Sequence, residues 1–188
     1  MELKELLESR TKKYIKDDER VPSAVLIPLF TNHNGIHIVF IKRTQTVKTH
    51  KGQISFPGGS REPDDSTLME TALRESHEEV GLHPEDVTVI GELDDQLTAT
   101  SNYVVSPFVG MIPWPYRFVK NPAEVDEIIE IPVSVLQAPD CRRPFVEVDD
   151  GGKMNAYAYY CRGRVIWGAT ARILDTFLEV YRQSVVAD

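Results

Sequence analysis

The sequence predicts a mixed α/β (α+β) fold in which one sheet is covered by helices. Two observations carry this. Apolar strand-like runs and amphipathic helical segments are interspersed along the chain instead of being segregated into halves. Two glycine-containing clusters, Asn32-His33-Asn34-Gly35 and Asp149-Asp150-Gly151-Gly152, separate pairs of such runs, as hairpin turns do. With 188 residues and no internal repeat or low-complexity linker, one domain over 1–188 is expected.

Taken in order, Leu3, Leu6, Leu7 and Ile15 fall near helical spacing and predict a short amphipathic helix over about 2–15. Pro22 opens a strand through Phe30. Pro28 should push the far end of that strand to an edge or bulge, because proline has no N–H for a ladder. After the first hairpin turn, Ile36 to Ile41 returns as a second strand, with His33 and His37 read as turn and surface residues. Residues 42–53 are polar and basic. The best helix follows Asp65. Thr67 and Glu70 form a capping-box pattern, Leu68, Ala72 and Ser76 mark an inner face, and Gly81 with Pro84 beyond it ends the helix. Val87 to Leu93 reads as a strand, followed by Asp94-Asp95 and a polar loop to Asn102. Tyr103 to Met111 is the next strand, and its proline-containing extension through Pro115 must leave the ladder. Glu124 to Pro132 reads as a strand and Val133 to Leu136 as one helical turn. Phe145-Val146 and Ala156 to Tyr160 flank the second hairpin turn. Ile173, Leu174, Phe177, Leu178 and Tyr181 then mark a C-terminal helix over about 170–183.

Composition narrows the function. The net charge of -8 disfavours non-specific nucleic-acid binding and an anionic membrane surface, while a phosphorylated small molecule stays open because bound divalent cations would invert the local field. No apolar run approaches the ~20 residues that span a bilayer, and acidic residues are scattered through the N-terminal stretch, unlike a secretory or transit leader. A cytoplasmic protein is therefore expected, with Cys141 and Cys161 as reduced thiols. Nothing marks an oligomer interface, and a homodimer is one arrangement open to the chain.

The chemistry concentrates between His50 and Leu82. Glu75, Glu78 and Glu79 stand at i, i+3 and i+4, so they share one helix face. Carboxylates crowded there repel unless a cation sits among them, and Mg²⁺ or Mn²⁺ suits such hard oxygen ligands. Arg74 can pair with Glu78 or orient a neighbouring carboxylate. A solvated Glu-rich face is the competing reading of those residues. Pro57-Gly58-Gly59 makes a turn whose backbone carbonyl can approach the same metal, since no side chain blocks it. The basic run before it, with Arg43, Lys48, His50 and Lys51, is either a solvated loop or a grip on phosphate.

Gly59 and the run Arg74-Glu75-Ser76-His77-Glu78-Glu79-Val80-Gly81-Leu82 resemble the Nudix hydrolase signature, placing a Nudix box at 59–82. Two departures stand out: Asp65 replaces the first glutamate with one extra residue before Arg74, and Ser76 takes a usually apolar position. Arg43, His50, Gly52, Gln53, Phe56, Pro57, Gly58 and Gly59 are similar to the upstream motif of the coenzyme A pyrophosphatase branch. Gly91 to Asp95, Tyr103 to Pro107 and Ile166 to Ala171 also look like that branch, so the similarity covers roughly residues 22–180.

The resemblance implies an α/β/α sandwich with a mixed central sheet and a helix carrying the metal site. It implies Mg²⁺- or Mn²⁺-dependent hydrolysis of the diphosphate of coenzyme A or a derivative. Glu75 and Glu79 would be principal ligands, Glu78 a further ligand and the Gly58 carbonyl a backbone ligand. Glu124 and Glu78 compete as the general base, with Arg74 beside them. Arg43, Lys48, His50, Lys51, Gln53, Phe56 and Tyr103 would contact substrate. ADP-ribose, a dinucleotide or a nucleotide sugar is the alternative substrate, and a non-catalytic Nudix binding module the alternative class.

Overall fold

The structure, a computed structural model, describes residues 2–45, 51–99, 101–149 and 152–186. In chain order it runs α1 (Leu3–Ser9), β1 (Val21–Asn32), β2 (Gly35–Arg43), β3 (Ile54–Ser55), β4 (Gly58–Ser60) and α2 (Leu68–Val80). There follow β5 (Thr88–Glu92), β6 (Gln96–Leu97), β7 (Tyr103–Met111), β8 (Val125–Pro132) and α3 (Val133–Leu136). The chain closes with β9 (Arg142–Asp149), β10 (Gly152–Cys161), β11 (Arg164–Ile166) and α4 (Gly168–Val186).

Strand β1 is the spine of a mixed sheet ordered β3-β2-β1-β7-β5, with β8 joined to β2. It runs parallel to β7 from Val21 beside Tyr103 to Leu29 beside Met111. On its other side β4 pairs antiparallel with residues 23–25 and β2 with residues 29–32. The edge or bulge expected at Pro28 is therefore corrected: Pro28 lies inside a central strand. It is tolerated because it falls in the gap between β4 and β2. The Leu26 N–H faces that side, bonding the Pro57 carbonyl at 2.9 Å, so the N–H that Pro28 lacks would have pointed into the gap.

Alternation along the strands builds two cores. Ala24, Leu26 and Phe30 of β1, with Val39 and Ile41 of β2, pack under Ala72 and Val80 of α2. Ile27 and Leu29, with Ile38 and Phe40, face Leu174, Phe177 and Leu178 of α4. His37, expected at the surface, is buried against the Phe30 ring at 4.9 Å.

Three further differences from the sequence reading have local causes. Helix α1 stops at Ser9, not near 15, because the chain beyond it is held extended: the Lys13 N–H donates to Asp94 and the Ile15 N–H to Asp95, at 3.0 Å each. The single expected sheet is joined by a second, three-stranded antiparallel one, β11-β10-β9, against which α4 also packs. Cys141 and Cys161, expected as free thiols, are joined in a disulfide. The turn after α3 brings Cys141 onto β10, where its carbonyl accepts from the Tyr160 N–H, and the two Cα atoms lie 5.5 Å apart. Among the described residues no helix is long and apolar enough to cross a membrane.

Candidate active site

Helix α2 carries the carboxylates, and its ends are fixed by the residues that the sequence singled out. Thr67 is the N-cap and accepts from the Glu70 N–H at 3.1 Å, while the Glu70 carboxylate takes the Ser66 N–H at 2.7 Å. Gly81 closes the helix in the left-handed region at φ 68°, a conformation with little cost only for glycine. Ser76 is fully buried, and its hydroxyl donates back to the Ala72 carbonyl at 2.7 Å, so a polar residue fits where the signature has an apolar one. The face one turn around presents Glu75 and Glu79.

Glu79 is the centre of the arrangement. It is 1% exposed, yet among the described residues it is held by only two donors: Arg43 Nη1 to its Oε1 at 3.1 Å and the Gly58 N–H to its Oε2 at 3.0 Å. Burial pushes its carboxyl up to about 8, against the pull of Gly58 and Arg43, and the neighbouring Glu75 and Glu124 push it the same way. Glu75 is also raised, first by burial, with Arg74 opposing and Glu78 and Glu124 adding to it. The Gly58 N–H meets the Glu79 carboxylate, which brings the Pro57-Gly58-Gly59 turn against the acidic face of α2. Gly59 leaves space for Glu75: a Cβ there would sit 2.4–2.6 Å from the Glu75 carboxylate and displace it.

Arg74 works between elements. It grips the buried Asp65 through Nε to Oδ1 at 2.9 Å and Nη2 to Oδ2 at 3.0 Å, and it also donates to the Ser60 carbonyl and to Glu75. Asp65 completes its shell with the Thr71 hydroxyl and the Glu62 N–H. The guanidinium holds the Asp65 carboxyl far below the usual carboxylate range. The aspartate and its longer spacing thus form a clasp that ties the loop after β4 onto α2. Glu124 arrives by a different route: the Asn121 N–H donates to the Glu79 carbonyl and the Thr44 N–H to the Glu124 carbonyl, at 2.9 Å each. These bonds lock its loop between α2 and the end of β2.

A cavity of ≈ 380 Å³ gathers most of these groups, with Arg43, Gln53, Phe56, Gly58, Gly59, Glu75, Glu79, Tyr103 and Glu124 all lining it. Phe56 is buried and stacks on Phe40 at 4.8 Å, so it forms the floor. Neither Arg74 nor Glu78 is among the described lining residues; the Glu78 side chain is 52% exposed and leans on Arg74. Lys51 lines a neighbouring groove that shares Gln53 with the cavity. Lys48 and His50 lie outside the described residues.

The structure adds lining residues that had no role assigned from sequence: Glu62, Ser101, Glu147, and Trp167 with Gly168 to Thr170 at the start of α4. Only Ile166 to Ala171 carried a signal, as part of the motif similarity. Glu147 is buried, holds Arg172 and sits 3.5 Å from where a Cβ on Gly168 would lie, so a carboxylate already faces the N-terminus of α4.

Residues 20–148 match the sequence model of the NUDIX domain. The chain belongs to the Nudix family. An uncharacterized Nudix hydrolase NudL of Photorhabdus laumondii is 34% identical over 86% of this chain and 85% of its own length. A NudL of Yersinia enterocolitica is 36% identical over 81% of this chain and 77% of its own. Among solved structures, the Nudix domain of Shewanella oneidensis NrtR, complexed with ADP ribose, covers 91% of this chain at a TM-score of 0.54 and 14% identity. It is itself covered over 90% of its length. The MutT protein of Methanosarcina mazei covers 93% of this chain and 98% of its own at 0.53 and 18% identity. At those identities the structures establish the shared fold. The protein is a Nudix hydrolase acting on diphosphate bonds of nucleoside diphosphate derivatives.

Nudix hydrolases generally use divalent metal ions, and the donor chemistry of this cavity fits one. Glu75 and Glu79 offer hard oxygens whose proton affinity is raised by burial and by one another, which is the situation that a bound cation relieves. Gly59 leaves the Glu75 carboxylate the room that a side chain would fill. Among the described residues no three His, Cys, Asp or Glu side chains stand in metal-holding geometry, both Glu79 oxygens being bonded to Arg43 and Gly58.

Proposed function

We propose that this Nudix hydrolase cleaves the diphosphate of coenzyme A or an acyl derivative, with Mg²⁺ or Mn²⁺, releasing 4'-phosphopantetheine (or its acyl form) and adenosine 3',5'-bisphosphate. One observation carries the reading. Residues of the upstream motif, Arg43, Gln53, Phe56, Gly58 and Gly59, meet Glu75 and Glu79 of the Nudix box in one cavity. A motif that looks like that of the coenzyme A branch is thus spent on the same space as the acidic helix face, and not on a remote surface.

In this reading Glu75 and Glu79 would hold the metal, with Glu78 and the Gly58 carbonyl as the further ligands that the motif resemblance implies. A divalent ion there would neutralise charge on the diphosphate and lower the pKa of water. Arg43, already in the cavity and bonded to Glu79, presents its guanidinium to the diphosphate. Glu124 is the base that takes the proton from the attacking water. It lines the cavity, whereas Glu78, its competitor, is half exposed and leans on Arg74. Water adds across the P–O–P link, one phosphate keeping the water oxygen and the other the bridging oxygen. Phe56 and Tyr103 supply apolar walls to the organic part. Arg74 is a positioning residue that holds Glu75 and the loop after β4.

Incubation with coenzyme A, with and without Mg²⁺ or Mn²⁺, and mass analysis of the products tests this. Metal-dependent appearance of the two named products is the expected result. The NrtR domain that shares the fold was solved with ADP ribose, so ADP-ribose, dinucleotides and nucleotide sugars belong in the same assay. Faster turnover of one of these than of coenzyme A would replace the substrate assignment. Binding without any metal-dependent cleavage would favour a binding module.

A further inference from the structure

Beside the carboxylate cavity lies a second, shallower groove of ≈ 720 Å³ whose charge is opposite to that of the chain as a whole. Four cations line it: Lys42 and Lys51 from the end of β2 and the loop before β3, and Arg162 and Arg164 from the β10–β11 hairpin. Among the described lining residues the one carboxylate is Glu127, which pairs with Arg164. Lys42 is paired outside the groove with Asp126 at 2.8 Å. Lys51 and Arg162 are exposed and have no hydrogen bond or ion pair among the described residues. In a protein of net charge -8, two uncommitted cations lining one concave surface favour an anionic ligand there.

The position of the groove narrows that partner. Gln53 and Trp167 line both spaces, so the groove continues the carboxylate cavity past those two side chains. Trp167 is half-buried and offers an aromatic surface at the junction, braced by the Phe145 ring at 6.0 Å. A ligand with its diphosphate beside Arg43 and Glu79 can therefore lay a flat ring by Trp167 and a further anionic group between Lys51 and Arg162. Arg162 is held at φ 52° next to Gly163, where the hairpin turn aims it from outside the sheet. The hairpin also lies beyond residues 20–148, so this half of the groove is no part of the matched Nudix domain.

We propose that the groove binds a phosphate monoester carried by the nucleoside half of the substrate, with Lys51 and Arg162 as its direct contacts and Lys42 and Arg164 setting the local field. The inference deepens the proposed diphosphatase reading and rests on it for the substrate, though not for the anion. It makes the protein selective for diphosphates whose ribose carries an extra phosphate over those whose ribose is free.

The test compares coenzyme A with 3'-dephospho-coenzyme A, in the intact protein and in Arg162→Gln, which removes the charge and keeps the stem. Loss of one charged contact should raise KM for coenzyme A roughly tenfold, while KM for the dephospho compound stays within about twofold. Equal changes for the two substrates, or no change for either, would overturn the groove. A calorimetric titration with adenosine 3',5'-bisphosphate and with AMP runs alongside. Tighter binding of the bisphosphate, lost in Arg162→Gln, supports the groove; equal binding of the two by the unaltered protein removes it. If neither coenzyme A compound is cleaved with metal present, the diphosphatase reading falls, and the titration alone still decides the groove.

Discussion

At the scale of single residues the site turns on one buried acid. Glu79 is buried, and among the described residues only Arg43 and the Gly58 N–H hold its charge. Glu79→Gln keeps the size but removes the anion and one of the two acceptors, since an amide NH2 cannot accept from Arg43 or from the Gly58 N–H. Turnover should fall about a thousandfold if that charge holds the metal, with the far-ultraviolet circular dichroism unchanged. A variant with near-normal kcat would show that Glu79 holds no metal. Gly59→Ala is the steric counterpart. Its new Cβ would overlap the Glu75 carboxylate, and displacing that group by about 1 Å should cost on the order of a hundredfold in kcat. Unchanged kcat would mean that the position of Glu75 does not matter. Glu79 and Glu78 stood out in the sequence because spacing on a helix fixes which side chains share a face, and Gly59 because it closes the Pro57-Gly58-Gly59 turn. What spacing could not show was their inequality: Glu79 is buried and Glu78 exposed one residue away.

Among the elements, the Asp65–Arg74 clasp joins the loop after β4 to α2. Asp65→Asn would leave the partly buried Arg74 without its buried carboxylate partner and should cost about 3 kcal/mol of stability by chemical denaturation. A loss below about 1 kcal/mol would show the clasp to be peripheral. The pH dependence has a definite sign. Because the Asp65 carboxyl is depressed in the folded state, its contribution is complete above the ordinary 3.8 and is lost as pH falls below that. Acid unfolding of Asp65→Asn should accordingly be shallower than that of the unaltered chain. In the sequence Asp65 looked like a departure from the Nudix signature, since only the folded loop shows its carboxylate meeting Arg74. Strands were legible for the opposite reason: β7 ran from Tyr103 to Met111 as its apolar run suggested. The short strands β3, β4 and β6 left no pattern, because two or three residues carry no period and their pairing is imposed by β2, β1 and β7. Pro28 misled for a related reason. Its tolerance depends on where β4 ends and β2 begins, which nothing near residue 28 encodes.

Across the whole molecule, the carboxylate cavity couples stability to pH and to metal. Glu79 titrates near 8 in the folded chain against an ordinary 4.5 in the unfolded one, so the two states hold its proton equally below about 4.5. As pH rises from there, the unfolded chain releases the proton that the folded chain keeps, and stability falls until the folded group itself ionises around 8. Glu75 is shifted in the same direction and adds to the loss. The folded state then carries a penalty on the order of a few kcal/mol, or roughly 5–15 °C in Tm for a chain of this size. Metal-free protein should therefore melt lower at pH 8.5 than at pH 5.5. Glu79→Gln should remove most of that difference, since an amide has no proton to lose. A divalent ion binds the ionised form, so saturating Mn²⁺ should raise Tm more at pH 8.5 than at pH 5.5 and flatten the profile of the unaltered chain. The same ion should do little for Glu79→Gln. Scanning calorimetry of both proteins at the two pH values, with chelator and with Mn²⁺, reads all four effects. A metal-induced rise in Tm as large in Glu79→Gln as in the unaltered chain would place the ion elsewhere and detach the buried acid from it.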